Sequence, residues 1–193
     1  MKNITIVGLG GSLRPKSTSL SALTTALEGA AQAGADTHLL DIRALDLPPY
    51  RPDNPTSYPS VDRLTETVAQ ADAMIWFSPL YHGSVSGAFK NAIDWLERLN
   101  NREKSYLSGQ VVGLISTAGG TQGLQAINTM EFIVRALRGW AVPLVMPIGQ
   151  SWKVFDQEGN LRDETTRESL KNLGKEVDRA ARQFPHSGTC DYA

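Results

Sequence analysis

Apolar and polar positions along the chain follow two periods. Short apolar runs without alternation occur at residues 4–7 (Ile-Thr-Ile-Val), 73–77 (Ala-Met-Ile-Trp-Phe) and 111–116. Continuous apolarity over strand length predicts parallel strands buried on both faces. Two weaker strands are predicted at residues 37–41 (Thr-His-Leu-Leu-Asp) and, amid prolines, at 142–146. Between these runs the spacing becomes helical. Leu20, Leu23, Leu27 and Ala31 share one face, as do Val61, Leu64, Val68 and Ala71. Val85, Ala88, Phe89, Ala92, Ile93 and Leu96 mark a third helix, which Ser84 or Ser86 can cap. Leu124, Ile127, Val134 and Leu137 mark a fourth, closed by Gly139, and Leu170, Leu173, Val177, Ala180 and Phe184 a last one. The third strand is expected to stop at Ser78-Pro79, and residues 43–60 read as one long proline-rich surface loop.

Strand and helix therefore alternate through the whole chain. This predicts an α/β fold, a doubly wound five-stranded parallel sheet in the order 2-1-3-4-5 with helices on both faces and right-handed crossovers. A single domain is expected over residues 1–185, with a tail at 186–193. Ligands of such sheets bind beyond the carboxyl ends of the strands. The loops after strands one, three and four, at residues 10–19, 79–84 and 116–122, are rich in glycine and hydroxyl side chains. The expected strand order places them side by side.

The first loop carries the clearest chemistry. Residues 8–20 read GLGGSLRPKSTSL, a glycine-rich turn leading into a helix. Such a turn lets backbone N–H groups approach an anion at the positive end of the helix dipole. Ser12, Arg14, Ser17, Thr18 and Ser19 add donors suited to a terminal phosphate with three free oxygens. A dinucleotide fingerprint fits poorly, because Leu13 stands where the third glycine belongs and Asp41 comes late for a ribose-binding acid. No Gly-Lys-Ser/Thr follows, so the Walker pattern fails too. The second loop offers Tyr81 and a kinked backbone, the third Ser116, Thr117 and flexible glycines. Phosphate at one end and a flat polar ring at the other describe a mononucleotide, and flavin mononucleotide (FMN) suits the description.

Composition narrows the field. The chain has 193 residues and a formal net charge of −1, which carries no footprint of nucleic-acid or anionic-membrane binding. No apolar run is long enough to span a bilayer. The single cysteine, Cys190, and a first strand starting near Met1 lead to the expectation of a reducing, cytoplasmic setting without a leader. His38, His82 and His186 lack metal-ligand spacing, and no Gly-x-Ser-x-Gly elbow exists, so neither metal nor hydrolase chemistry is expected.

Three segments, GSLRPKST, SPLYHGSVSGAFKNAIDWLE and STAGG, resemble the NADPH-dependent FMN reductase family of flavodoxin-like proteins, which includes quinone, azo and chromate reductases. The resemblance covers about residues 3–146 and implies roles at matching positions. Ser12, Arg14, Ser17 and Ser19 would hold the phosphate, Thr18 lying beside them. Pro79, Leu80, Tyr81, His82 and Gly83 would line the flavin ring, with Ser116, Thr117, Gly119 and Gly120 completing its site. Leu80 and His82 depart from the commoner Pro-Glu-Tyr-Asn, replacing an acid and an amide. The implied activity takes electrons from NADPH (or NADH) through FMN to a quinone, free flavin, azo compound, metal oxyanion or ferric complex. Flavin chemistry needs no dedicated acid–base side chain. Lys90, Asn91 and Asp94 read as solvated or capping residues, Trp95 and Trp140 as packing or subunit contacts, and a homodimer or homotetramer is expected. The rival reading, a flavodoxin-type electron carrier, sits poorly with a net charge of −1, since such carriers are usually acidic.

Overall fold

Five parallel strands carry the architecture. The computed structural model describes residues 3–53, 56–102 and 105–184. In chain order its elements are β1 (Thr5–Gly10), α1 (Thr18–Gln32), β2 (Asp36–Asp41), α2 (Ile42–Leu45), α3 (Pro59–Gln70), β3 (Ala73–Tyr81) and β4 (Ser84–Val85). Then come α4 (Gly87–Asp94), a 3-10 turn (Trp95–Leu99), β5 (Val111–Thr117), α5 (Leu124–Ala136), β6 (Trp140–Ile148), α6 (Ser151–Val154) and α7 (Glu164–Gln183). The sheet runs β2-β1-β3-β5-β6, with the two-residue β4 paired to β3. Without β4, the five long strands stand in the expected 2-1-3-4-5 order, and every neighbouring pair among them is parallel. The expected tail at 186–193, with His186 and Cys190, lies outside the described residues.

Helices begin where side chains catch the unpaired N–H groups of a first turn. Ser17 accepts from the Leu20 N–H at 3.2 Å and Asp163 from the Thr166 N–H at 2.7 Å. Of the two candidate caps before α4 the molecule uses Ser86, which accepts from the Phe89 N–H at 3.2 Å.

The structure corrects three expectations. β3 does not stop at Ser78-Pro79 but continues to Tyr81 and folds back as β4. The turn is a two-residue hairpin loop with His82 at φ 49° and Gly83 at φ 83°, both left-handed, as the tightest hairpins require. Its partner β1 ends opposite Phe77, so a strand residue without an N–H is tolerated just beyond. The expected loop at 43–60 holds most of the short helix α2 and the first two residues of α3. β6 reaches from Trp140 to Ile148 and contains Pro143 and Pro147, which its edge position allows.

Apolar side chains pack on both faces of the sheet. One layer joins Trp76, Val7 and Leu114 to Leu64 of α3, Phe89 of α4 and Ile127 and Met130 of α5. The other joins Ile6, Ile75 and Phe77 to Leu23 of α1 and Leu170, Leu173 and Val177 of α7. Each such large side chain contributes roughly 1.5–3 kcal/mol by leaving water. The proline-rich loop is clasped by α4 and the turn after it. Asn91 Oδ1 accepts the Tyr50 N–H at 2.8 Å, while Asn91 Nδ2 and Trp95 Nε1 donate to the Pro48 carbonyl at 3.0 and 2.8 Å. Asn91 is thus a structural clasp and buried Trp95 a packing residue, while Lys90 pairs with Asp94 at 2.6 Å on the surface.

α1 and α7 cross at backbone distance. A Cβ on Gly174 would collide with the Ala26 carbonyl and the Ala30 N–H, and one on Gly29 with the backbone of Lys171. Glycine to alanine in a helix interior ordinarily stabilises by about 1 kcal/mol. Here the sign reverses. Gly174→Ala is expected to destabilise by about 1–3 kcal/mol through overpacking, read as a lowered urea midpoint at unchanged slope; an unchanged or raised midpoint would contradict this crossing.

Candidate functional site

The three loops singled out in the sequence meet at the carboxyl end of the sheet around a cavity of about 300 Å³. Ser12, Arg14, Ser17, Thr18 and buried Ser19 line it from the first loop. Pro79, Leu80 and Tyr81 line it from the end of β3, Thr117 and Gly119 from the end of β5. Close packing sets the first loop in place. At Gly10, β1 runs against the Phe77 backbone where a Cβ would have no room, and Gly11 follows at φ 118° with Asp41 beside it. The chain then rises into α1, whose 15 residues aim their amino end at the cavity. The first N–H groups of a helix lack intrahelical acceptors and carry partial positive charge.

The charge of the lining is one-sided. Arg14 and Lys16 contribute cations, and among the described residues no Asp or Glu lines the cavity. Lys16 meets Glu158 at 2.6 Å, both side chains well exposed. A cation pair, several hydroxyls and a helix amino end together suit an anion with several oxygens.

A second cavity of about 380 Å³ shares Ser12, Arg14, Pro79 and Tyr81 with the first. It continues over Leu13, Pro15 and Ala88 and is mainly apolar. The two form one groove, polar at the α1 end and apolar past Tyr81. A larger cavity, about 470 Å³, lies elsewhere, around Arg135, Arg138 and Trp140 at the start of β6. That is the amino end of the strand, away from where ligands of such sheets bind.

Four expected residues do not line the groove. His82 and Gly83 form the tip of the β3–β4 turn. Ser116 is fully buried and donates its hydroxyl to the Gly123 carbonyl at 2.6 Å. The Gly120 carbonyl accepts the Gln150 N–H at 2.8 Å. Lys16, Ala118 and Ser151 line the cavity although the sequence reading left them out. Lys16 was legible, standing within the first loop. Ser151 arrives from beyond β6, where its N–H donates to the Ala118 carbonyl at 3.0 Å; no local pattern announces such a contact. Among the described residues no group of His, Cys, Asp and Glu is placed to hold a metal, and no helix is long and apolar enough to cross a membrane.

Sheet order, first-loop cradle and groove define a flavodoxin-like α/β protein. Comparison with known proteins agrees. The flavodoxin, WrbA-like protein of Agrobacterium tumefaciens superposes with a TM-score of 0.67 at 19% identity, covering 95% of this chain and all of that one (100%). The model of the NADPH-dependent FMN reductase family matches residues 4–153, and the chain belongs to that family. It is 31% identical to an NADPH:quinone oxidoreductase of Arabidopsis thaliana, over 88% of each chain. It is 30% identical to an NAD(P)H-dependent FMN reductase of Pseudomonas aeruginosa, over 88% of this chain and 90% of that one. The flavoenzyme NAD(P)H:(acceptor) oxidoreductase FerB of Paracoccus denitrificans has a TM-score of 0.75 at 25% identity, covering 93% of this chain and 98% of that one. The NADPH-dependent FMN reductase ArsH of Acidithiobacillus ferrooxidans is longer: at 28% identity the match spans 75% of this chain and 59% of that protein.

Proposed function

We propose that this chain is an FMN-dependent NAD(P)H oxidoreductase that passes electrons from NADPH, or NADH, to a small acceptor. The acceptor class is a quinone, free flavin, azo compound, metal oxyanion or ferric complex. One observation carries the reading: the acid-free cradle of Arg14, Lys16 and hydroxyls at the α1 amino end opens directly into a groove along Pro79, Leu80 and Tyr81. The donor set fits a phosphate monoester, and the groove offers a flat ring both backbone polar groups and apolar walls. When bound, FMN supplies hydride acceptance and electron delivery. The chain contributes position. Arg14, Ser12, Ser17 and Thr18 would hold the phosphate, with Ser19 beside them. Residues 79–81 and Thr117 to Gly119 would orient the ring, and His82, Gly83, Ser116 and Gly120 shape the loops that would carry those contacts. A homodimer or homotetramer accompanies this reading, supported by exposed Phe132 on α5 and Trp140 and Leu144 on β6.

Arg14→Ala should weaken FMN binding about 10- to 150-fold, since hydrogen bonds to charged groups contribute roughly 1.5–3 kcal/mol. Riboflavin, which lacks the phosphate, should bind wild type and variant alike. Titration of both ligands by flavin fluorescence decides; equal losses for the two would remove the phosphate from the first loop. Donor and acceptor share one ring site in this reading, so double-reciprocal plots at several acceptor concentrations should be parallel, and intersecting lines would exclude a ping-pong course. Sedimentation at micromolar concentration should give at least twice the monomer mass; the monomer mass alone would refute the oligomer.

A further inference from the structure

Two serines stand side by side at the mouth of the sheet, Ser78 on β3 paired in register with Ser116 on β5. Both are fully buried, where a hydroxyl must find partners. Neither lines the groove, and both turn their hydroxyls to backbone of the flanking loops. Ser78 Oγ accepts the Ser86 N–H at 2.9 Å and donates to the Pro79 carbonyl at 3.1 Å. Ser86 in turn caps α4, so one hydroxyl joins the end of β3, the returning arm of the hairpin and the start of α4. Ser116 Oγ donates to the carbonyl of Gly123, which directly precedes α5. That bond closes the loop running from Thr117 through Gly120. Both walls of the ring end of the groove are thereby tied to the same point of the sheet.

We infer that Ser78 and Ser116 are positioning residues for the flavin ring, acting through the two loops and touching no ligand. This rests on the FMN reading proposed above. The physical route is conformational. If removing a hydroxyl leaves the loop in its binding geometry only a fraction of the time, apparent affinity falls by that fraction. The fraction multiplies every ligand that uses the ring end, with or without a phosphate. Losing a partner for a buried N–H corresponds to about a tenfold effect or more.

The test uses the full chain with Ser78→Ala, Ser116→Ala and the hydroxyl-retaining Ser78→Thr. FMN and riboflavin affinities are measured by fluorescence, and backbone exchange at Ser86 by hydrogen–deuterium exchange without flavin. Both alanine variants are expected to lose affinity for FMN and riboflavin by the same factor, about tenfold. In Ser78→Ala the Ser86 N–H should exchange faster, and Ser78→Thr should recover most of both losses. Should Ser78→Ala fail to fold, Ser116→Ala carries the test, because the Gly123 carbonyl, as the cap of α5, keeps the first intrahelical N–H as a partner. Wild-type affinity in the alanine variants, loss for FMN alone, or a threonine variant no better than alanine would each overturn the assignment while leaving the cofactor reading intact. Wild-type protein that binds neither flavin would overturn both.

Discussion

The site depends on how closely α1 can lie against its neighbours. Gly29 and Gly174 let α1 and α7 meet at backbone distance, and Gly8 leaves β1 a bare surface on which Leu23 and Leu27 rest. Three missing side chains thus fix the depth and tilt of one helix. The amino end of that helix forms the floor of the polar cavity, so an error of one methyl group at the crossing would displace the cradle. Interiors packed like crystals transmit such shifts because few voids can absorb them. Arg182 extends the constraint to the far end of the pair. It binds Asp178 through two 2.8 Å bonds and reaches the Gly34 carbonyl at 3.3 Å, tying α7 to the turn between α1 and β2. Asp178 is nearly buried, and its carboxylate holds the Arg182 guanidinium above its ordinary pKa.

From this anchored helix the rest of the mouth is built by short-range backbone bonds. The third loop is clipped to the end of β6 and the segment after it by three of them, donated by Ala118, Gln150 and Ser151 at 2.8–3.0 Å. The second loop is pinned by Ser78 and by the antiparallel pairing of Leu80 with Val85. Loops that would otherwise pay a large entropic cost to be ordered are thereby held by the sheet itself.

Much of this was legible in the residues, for identifiable reasons. The buried runs at 73–77 and 111–116 have no polar interruption, so they could only be central strands. The helical faces around Leu23, Phe89 and Val177 repeat cleanly, and these three central residues are fully buried, although Ala31 at the end of the first face is exposed. The first loop announced itself through glycine beside Ser12, Arg14 and Ser17. What stayed hidden was non-local or locally ambiguous. Nothing in Gly174 signals that Ala26, far away in sequence, needs its space. Ser151 reaches the cavity only because β6 ends beside the third loop. Pro79 read as a stop because proline usually is one, and only the end of β1 opposite Phe77 shows why the strand could pass it. Ser116 stands at the expected strand end with its hydroxyl turned to the Gly123 carbonyl; a hydroxyl at a strand end can face a ligand or a loop, and sequence alone does not say which.

The same logic explains why two departures from the commoner family motif need not disturb the architecture. His82 replaces an amide at a position whose φ of 49° selects residues tolerant of the left-handed region. Asparagine and histidine are both enriched there, and Gly83 supplies the second positive φ that the hairpin needs. Leu80 replaces an acid on a strand whose backbone is already engaged with Val85. The hairpin brings Leu80 and Tyr81 to the groove, and its backbone is held by the turn and by the Ser78 hydroxyl. The exchanged side chains alter the polarity around that main chain: an acid is lost at 80 and an exposed imidazole gained at 82. Leu80 lines the groove, so the exchange there leaves its wall without a carboxylate, while His82 stands at the tip of the turn outside it.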